Sequence, residues 1–493
     1  MRPQPAPLGD LMGNFHPAPG ETWIQAAGVA ITGITADSRA VAPGFLFAAL
    51  PGARHDGRAF IAEAVARGAA AVLAPENTPW PTGTPARPLI FDAEPRRRLA
   101  QLATALAGVQ PATMVAVTGT NGKTSTVSFL RQLWELSGTK AASLGTLGLE
   151  APGFPAGPGL TTPDPVALAG TLANLAKAGI DHTAMEASSH GLDQYRLDGV
   201  RLAAAGFTNL TRDHLDYHGT LQSYRAAKLR LFTDLLPAGA PAVVNADMDA
   251  ETLRAVRTIA QARRLDLRTV GVAGEALCLM RASPHPRGQS LRVYANGRTR
   301  TIDLALPGRF QADNALLAAA LAEATGLDGA LDLLPRLSGV RGRMELAATL
   351  PGDAAVYVDY AHTPDALERL LAALRPHTRG ELVVVFGAGG DRDRGKRPLM
   401  GAIAARHADR AIVTDDNPRS EDPAAIRAAI LTACPGALEI GDRAEAIAAG
   451  LGLLGPGDIL AVAGKGHEQG QTIGTTTLPF DDVAVVRGLA GVA

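Results

Sequence analysis

The sequence predicts an α/β protein built as three domains, and three observations carry that expectation. The chain has 493 residues, too many for one ordinary hydrophobic core. Residues 113–117, an apolar run with three β-branched members, lead into a glycine-rich turn and then a helical pattern, as at the start of a parallel sheet covered on both faces. A second alternation of strands and helices begins after the glycine-broken basic stretch 338–345, so domains are expected over 1–110, 111–341 and 342–493.

Hydrophobic residues make up 46% and charged residues 19%, an ordinary globular balance, and the net charge is −1. With no basic excess, neither nucleic acid nor an anionic membrane is an expected partner, and any anionic ligand must be met by local charges. Cys278 and Cys434 lie far apart, offer no framework of bridges and read as small core filler in a reducing compartment. No apolar run approaches the ~18 residues of a membrane helix, and the first twenty residues lack the apolar region of a secretory signal. A cytoplasmic location follows as the expectation.

In the first domain, residues 44–50 and 69–73 have buried-strand patterns, and residues 57–68 read as an amphipathic helix between them. Asp37, Ser38 and Arg39, with Arg54, His55 and Asp56 in a glycine-flanked loop, read from residue type alone as turn chemistry at strand ends.

In the second, Ala116-Val-Thr-Gly-Thr-Asn-Gly-Lys-Thr-Ser125 joins strand to helix. Gly119 and Gly122 remove side chains so that backbone N–H groups can close on phosphate oxygens at a helix N-terminus. Lys123 supplies a charge for the terminal phosphates, and the hydroxyl of Thr124 or Ser125 suits Mg²⁺. Val117 stands where G-x-x-x-x-G-K-[ST] has its first glycine, so this is a variant phosphate loop. The helical spacing runs over 124–137 and closes on Gly138. Residues 160–164 read as a turn before a helix, and a strand then ends in Glu186, Ser188, Ser189 and His190. Polar residues at the carboxyl end of such a strand face the ligand crevice, which makes Glu186 a candidate Mg²⁺ ligand. His214, Asp216 and His218 lack the glutamate of H-E-x-x-H and any nearby cysteine, so one histidine beside a carboxylate-bound Mg²⁺ is favoured over zinc. Residues 223–232 are helical, and by pattern Lys228 reads as surface charge; Asn314 lies near the start of an alanine-rich helix.

In the third, strands near 356–359, 382–386, 411–413 and 459–463 each run into a polar loop. Those loops carry Asp359 and His362, then Arg392, then Asp416, Asn417, Pro418 and Arg419, then Gly464 and Glu468. This is a second crevice, suited to a ligand bearing both signs of charge.

Thr118-Gly-Thr-Asn-Gly-Lys-Thr124, Thr161-Thr-Pro163, Glu186-Ala-Ser-Ser-His190, Asp213-His-Leu-Asp-Tyr-His-Gly219, Gly342-Arg-Met-Glu345, Asp359-Tyr-Ala-His362, Asp416-Asn-Pro-Arg419 and Gly464-Lys-Gly-His-Glu468 together resemble the Mur ligases. The motifs occur in order over nearly the whole chain. The resemblance implies a UDP-substrate-binding domain, a central ATP-binding domain and a Rossmann-like amino-acid-binding domain. It implies that Ser38, Ala53, Arg54, His55, Thr161, Thr162, Ser188, Gln194 and Arg196 hold a UDP-muramoyl-peptide. Gly119, Thr120, Asn121, Gly122, Lys123, Thr124, Ser125, Asn314, Arg343, Asp359 and His362 would surround ATP. Lys123, Glu186, His214 and Lys228 would be catalytic, with Lys228 carbamylated by CO₂ so that it joins Thr124, Glu186 and His214 around Mg²⁺. Arg392, Asp416, Asn417, Pro418, Arg419, Gly464 and Glu468 would receive meso-diaminopimelate, whose second carboxylate suits an arginine fork. Leu160 and Ala36 depart from the family pattern and take no role. The implied chemistry is ATP-driven amide formation through an acyl phosphate in peptidoglycan synthesis, by a monomer whose domains close about 339–342. A folylpolyglutamate synthetase-like ligase and a non-catalytic nucleotide-binding module are the alternatives.

Overall fold

Short Val-, Leu- and Ala-rich runs that bury both faces dominate this chain, and parallel sheets are where such runs belong. A computed structural model describes residues 5–13, 27–52, 55–155 and 159–491. Ala53 and Arg54 lie outside the described residues. Contacts divide the chain into two compact units, residues 1–268 with 321–327, and residues 269–320 with 328–493. The stretch 338–345 falls within the second unit.

The first unit begins with a four-stranded parallel sheet, Gly33–Thr35, Phe45–Ala48, Ala71–Pro75 and Leu89–Asp92, in that order. The expected helix between the second and third strands starts one turn tighter, as a 3₁₀ segment Gly57–Phe60, before the α-helix Ile61–Ala66. Asp56, whose side chain accepts from the Arg58 N–H, fixes that tight start.

The unit's larger sheet centres on Thr113–Thr118, flanked in parallel by His182–Glu186 and Ala204–Phe207. Ala141–Gly145 and Pro241–Asn245 extend it on either side. The register sets Glu186 beside Val117 and Phe207 beside Thr118, so three strand ends finish level with one another. The helix Lys123–Leu136 follows the central strand and stops where Gly138, at φ +89°, donates to Glu135 O and Thr139 donates to Trp134 O. Asp164 caps the helix Pro165–Lys177 by accepting from the Val166 and Ala167 N–H groups, both at 3.0 Å.

The second unit contains a six-stranded sheet in the order Glu345–Leu350, Ala354–Asp359, Ile459–Ala463, Leu382–Phe386, Arg410–Val413, Leu438–Glu439. Only its first strand is antiparallel. An antiparallel meander, Leu277–His285, Gly288–Ala295 and Arg298–Leu304, interrupts the strand–helix alternation expected through residue 340. Its two-residue turns, 286–287 and 296–297, demand adjacent antiparallel strands, which a crossover reading overlooks. Buried His377 fastens this meander: Nε2 accepts from Gly308 N at 2.8 Å and Nδ1 lies 2.8 Å from Gly288 O. Burial holds its imidazole below the usual range, in keeping with a neutral ring that accepts at one nitrogen and donates at the other.

The helix Pro364–Leu374 buries Leu367, Leu370, Leu371 and Leu374 on one face, against the sheet core that includes Leu382, Val384 and Phe386. Leu371→Ala is expected to lower the unfolding free energy by roughly 2–5 kcal/mol, whereas Leu399→Ala, at a side chain 56% exposed, stays within about 0.5 kcal/mol. Urea-induced unfolding of the two variants measures the difference.

Candidate active site

The turn between Thr113–Thr118 and Lys123–Leu136 runs through Gly119 at φ +144° and Gly122 at φ +85°, conformations that L side chains avoid. Space forbids a side chain at the first as well: a Cβ on Gly119 would lie 1.8 Å from Thr208 Oγ1. Thr120 Oγ1 lies 3.1 Å from Tyr224 OH, and the Asn121 N–H donates to Asn209 Oδ1 at 3.0 Å. Ser125 is buried at the first turn of the helix.

Lys123 bends back over this turn, and Nζ donates to Gly119 O and Thr120 O, both at 2.9 Å. Lys228 reaches the same carbonyl from the helix Leu221–Arg230, donating to Gly119 O at 2.8 Å with its ammonium 4.5 Å from the centre of the Tyr224 ring. The sequence pattern had marked Lys228 as surface charge; it is in fact almost wholly buried. A ten-residue helix with weak amphipathicity gives no sign of which face the sheet covers. Burial, followed by the charge of Lys123, holds the Lys228 amine well below the ordinary lysine range. Burial likewise lowers Lys123, while Glu186 opposes it.

Glu186 is buried at its strand end and accepts from three groups. Thr124 Oγ1 donates to Oε1 at 2.9 Å, the Thr146 N–H to Oε1 at 2.8 Å, and Thr146 Oγ1 lies 3.3 Å from Oε2. Gly145 makes room, since a Cβ there would lie 2.1 Å from Oε1. A hydroxyl beside a carboxylate is a hard-oxygen set that suits Mg²⁺, and no group of three or more His, Cys, Asp or Glu able to hold a metal occurs among the described residues. Sequence reasoning missed Thr146; its signal was the glycine-flanked turn after the strand Ala141–Gly145.

Thr161 and Thr162 join this centre. Thr146 Oγ1 lies 3.0 Å from Thr161 Oγ1, while Thr162 Oγ1 donates to Glu186 O and accepts from the Ser188 N–H, each at 3.0 Å. Arg196 donates to Thr162 O at 2.7 Å and to Gln194 Oε1 at 2.8 Å, and Gln194 in turn reaches Tyr217 OH at 3.2 Å. His214, left-handed at φ +50°, stands edge-on to His190 with ring centres 5.1 Å apart. In the N-terminal sheet, Ser38 donates to Glu63 at 3.3 Å and His55 is exposed.

The second unit gathers another set. Asp359 accepts from the Met344 and Ala361 N–H groups, both at 2.8 Å; burial raises its carboxyl while these bonds and Arg343 oppose. Arg343 lies over the Tyr360 ring, His362 O accepts from Lys396, and Asn314 donates to Gln311. Asn417 Nδ2 donates to Glu468 at 3.0 Å, and its Oδ1 accepts from Lys465 Nζ and the Thr472 N–H, both at 2.9 Å. Lys465, fully buried, was not singled out by the sequence although it sits inside a quoted motif. Arg419 is left-handed at φ +52°, follows Pro418 and donates from Nη1 to Gly390 O at 2.8 Å. A Cβ on Gly389 would meet Arg419 Nη1 at 2.9 Å and Arg392 Cγ at 3.9 Å, so the Arg419 guanidinium and the Arg392 stem both border this glycine. Among the described residues neither forms an ion pair with a carboxylate. Asp416 lies beside Gly464: a Cβ on that glycine would be 2.6 Å from Asp416 Oδ2.

A parallel α/β sheet whose glycine turn carries a lysine, with a buried carboxylate at the adjoining strand end, defines a nucleotide-dependent enzyme of the phosphate-loop kind. Comparison with known proteins narrows this. Residues 30–105 match the Mur ligase family, catalytic domain; 117–322 match the Mur ligase middle domain; and 342–466 match the Mur ligase, glutamate ligase domain. The chain belongs to the Mur ligase family. It is 55% identical over 471 residues, 94% of this chain and 96% of the other, to a Caulobacter vibrioides protein named UDP-N-acetylmuramoyl-L-alanyl-D-glutamate--2,6-diaminopimelate ligase. A Rhizobium meliloti protein of the same name is 54% identical, over 98% of this chain and 99% of the other. A solved structure bearing that name aligns with TM-score 0.77 at 33% identity, covering 99% of both chains. The fold is shared with a MurF ligase from Thermotoga maritima in complex with ADP, at TM-score 0.57 and 19% identity over 93% of this chain and 96% of that one.

Gly119→Ala forces a methyl against Thr208 in a backbone conformation alanine resists. It is expected to weaken ATP binding at least tenfold, as titration calorimetry would read, with the far-UV circular dichroism retained.

Proposed function

We propose that this chain joins meso-diaminopimelate to UDP-N-acetylmuramoyl-L-alanyl-D-glutamate at the expense of ATP, a step of peptidoglycan synthesis. The names of relatives more than 50% identical over nearly the full length support this reading. The single structural observation that carries it is the pair Arg392 and Arg419, whose side chains both border Gly389 and, among the described residues, form no ion pair with a carboxylate. Lysine, which lacks the second carboxylate of diaminopimelate, would leave both guanidinium groups unmatched.

In this reading the residues divide among three domains, 1–110 for the UDP end, 111–341 for ATP and 342–493 for the amino acid. The N–H groups of Gly119, Thr120, Asn121 and Gly122 receive phosphate oxygens, and Lys123 leaves its two carbonyl partners for the terminal phosphate. Thr161, Thr162, Ser188, Gln194 and Arg196 position the glutamyl carboxylate, with Ser38, Ala53, Arg54 and His55 at the UDP end. A carboxylate oxygen attacks the γ-phosphorus as the bond to ADP breaks; the amine then attacks the acyl carbon, loses a proton, and phosphate leaves. Holding the reactants in line supplies much of the rate. Thr124, Glu186 and His214 would hold Mg²⁺, which neutralises charge between carboxylate and triphosphate. Lys228 would serve as a carbamate: its lowered basicity favours the neutral amine, which attacks the carbon of CO₂ and loses a proton, and the product would be an anionic ligand. Asn314, Arg343, Asp359 and His362 complete the nucleotide surroundings. Asp416, Asn417, Pro418, Gly464 and Glu468 accompany the arginines, the carboxylates meeting the distal ammonium. The protein acts as a cytoplasmic monomer on small molecules alone.

Phosphate release from ATP is expected only when both the UDP-dipeptide and meso-diaminopimelate are present. Release with neither, or with a folate and glutamate instead, refutes the assignment. Arg419→Ala is expected to raise KM for diaminopimelate by roughly 10–100-fold while ATP affinity is unchanged; steady-state kinetics with each substrate varied in turn separates the two.

A further inference from the structure

Arg443, at the start of the helix Arg443–Gly452, is fully buried beneath the strand ends that carry Asp416 and Gly464. Its guanidinium is bound in a fork by Asp482, with Nε to Oδ1 and Nη2 to Oδ2 both at 2.7 Å, and Nη2 also donates to Ala463 O at 3.1 Å. Asp482 is itself fully buried, on the helix Asp482–Ala490. Across Gly464, at φ +124°, lies Asp416: a Cβ on that glycine would be 2.6 Å from Asp416 Oδ2 and 3.8 Å from Arg443 Nη2. Asp416 Oδ2 and Arg443 Nη1 are both buried and have no hydrogen-bond partner among the described residues. A buried carboxylate oxygen with a guanidinium close by would ordinarily bond it. Here Nη2, the guanidinium nitrogen nearest Gly464, is spent on Asp482 and on the Ala463 carbonyl, and Nη1 makes no hydrogen bond among the described residues.

The geometry points to Arg443 as a positioning residue for amino-acid recognition, held back by Asp482 so that it faces Asp416 without capturing its free oxygen. The missing hydrogen bond leaves Oδ2 open to an incoming ammonium. This rests on the reading that Asp416 belongs to the diaminopimelate site. No substrate atom need touch Arg443 or Asp482.

Asp482→Asn tests the arrangement, because it releases the guanidinium to turn on Asp416. The expected result is a rise in KM for diaminopimelate of about tenfold or more, with KM for ATP and for the UDP-dipeptide unchanged. Adding Arg443→Met to Asp482→Asn removes the captor, and the double variant is expected to recover part of that loss. An unchanged KM for diaminopimelate, an equal rise in all three KM values, or a double variant no better than the single one would each overturn the proposal. Should Asp482→Asn fail to fold, Arg443→Lys keeps the cation but not the fork: a selective rise in KM for diaminopimelate supports the proposal, and an unchanged KM overturns it. Turnover of diaminopimelate by the unaltered chain is the control; its absence fails the functional reading, not the role of Arg443.

Discussion

Glu186 is the carboxylate around which the first unit's strand-end loops are arranged. Taking a carboxylate out of water costs several kcal/mol unless hydrogen bonds and a cation compensate. Thr124, in the first turn of the helix Lys123–Leu136, and Thr146, in the turn after Ala141–Gly145, supply the bonds, and Lys123 is the nearby cation. The Glu186 main-chain carbonyl ties in a third loop through Thr162. One buried residue, through its carboxylate and its main-chain carbonyl, therefore holds the phosphate turn, the 145–146 turn and the 161–162 turn in a common frame. Gly145 is part of the same constraint, because any side chain there would occupy the carboxylate's place.

Two lysines donating to one carbonyl oxygen is an arrangement that favours a neutral member. Lys123 and Lys228 share Gly119 O; burial lowers both, Glu186 opposes the effect at Lys123, and the charge of Lys123 adds to it at Lys228. Tyr224, from the same helix, covers its ammonium and reaches Thr120. The helix thus acts as a lid over the phosphate turn as well as a support for the sheet.

The second unit solves a different problem, the presentation of both signs of charge without their cancelling. Parallel order brings the ends of Ala354–Asp359, Ile459–Ala463, Leu382–Phe386 and Arg410–Val413 to one edge, where their loops carry Asp359, Lys465, Arg392 and Asp416. Arg443 is drawn away from the crevice by Asp482, Lys465 is engaged by Asn417 and stands 3.7 Å from Glu468, and a strand pairing between Arg419 and Ile473 fixes the arginine's left-handed turn.

The sequence alone determined the α/β class, the glycine turn with Lys123 and Thr124, the strands ending in Glu186, Asp359 and Asp416, and the family. Those features are local: an apolar run, a glycine that permits positive φ, and polar residues that must follow a buried strand are legible within a few residues. Only the tertiary structure decided that Lys228 is buried, that Thr146 completes the shell of Glu186, that 277–304 forms an antiparallel meander, and that Asp482 holds Arg443. Each of these depends on which strand lies beside which and which helix face is covered. Such facts are set by register and packing between residues tens of positions apart, and no local pattern encodes them.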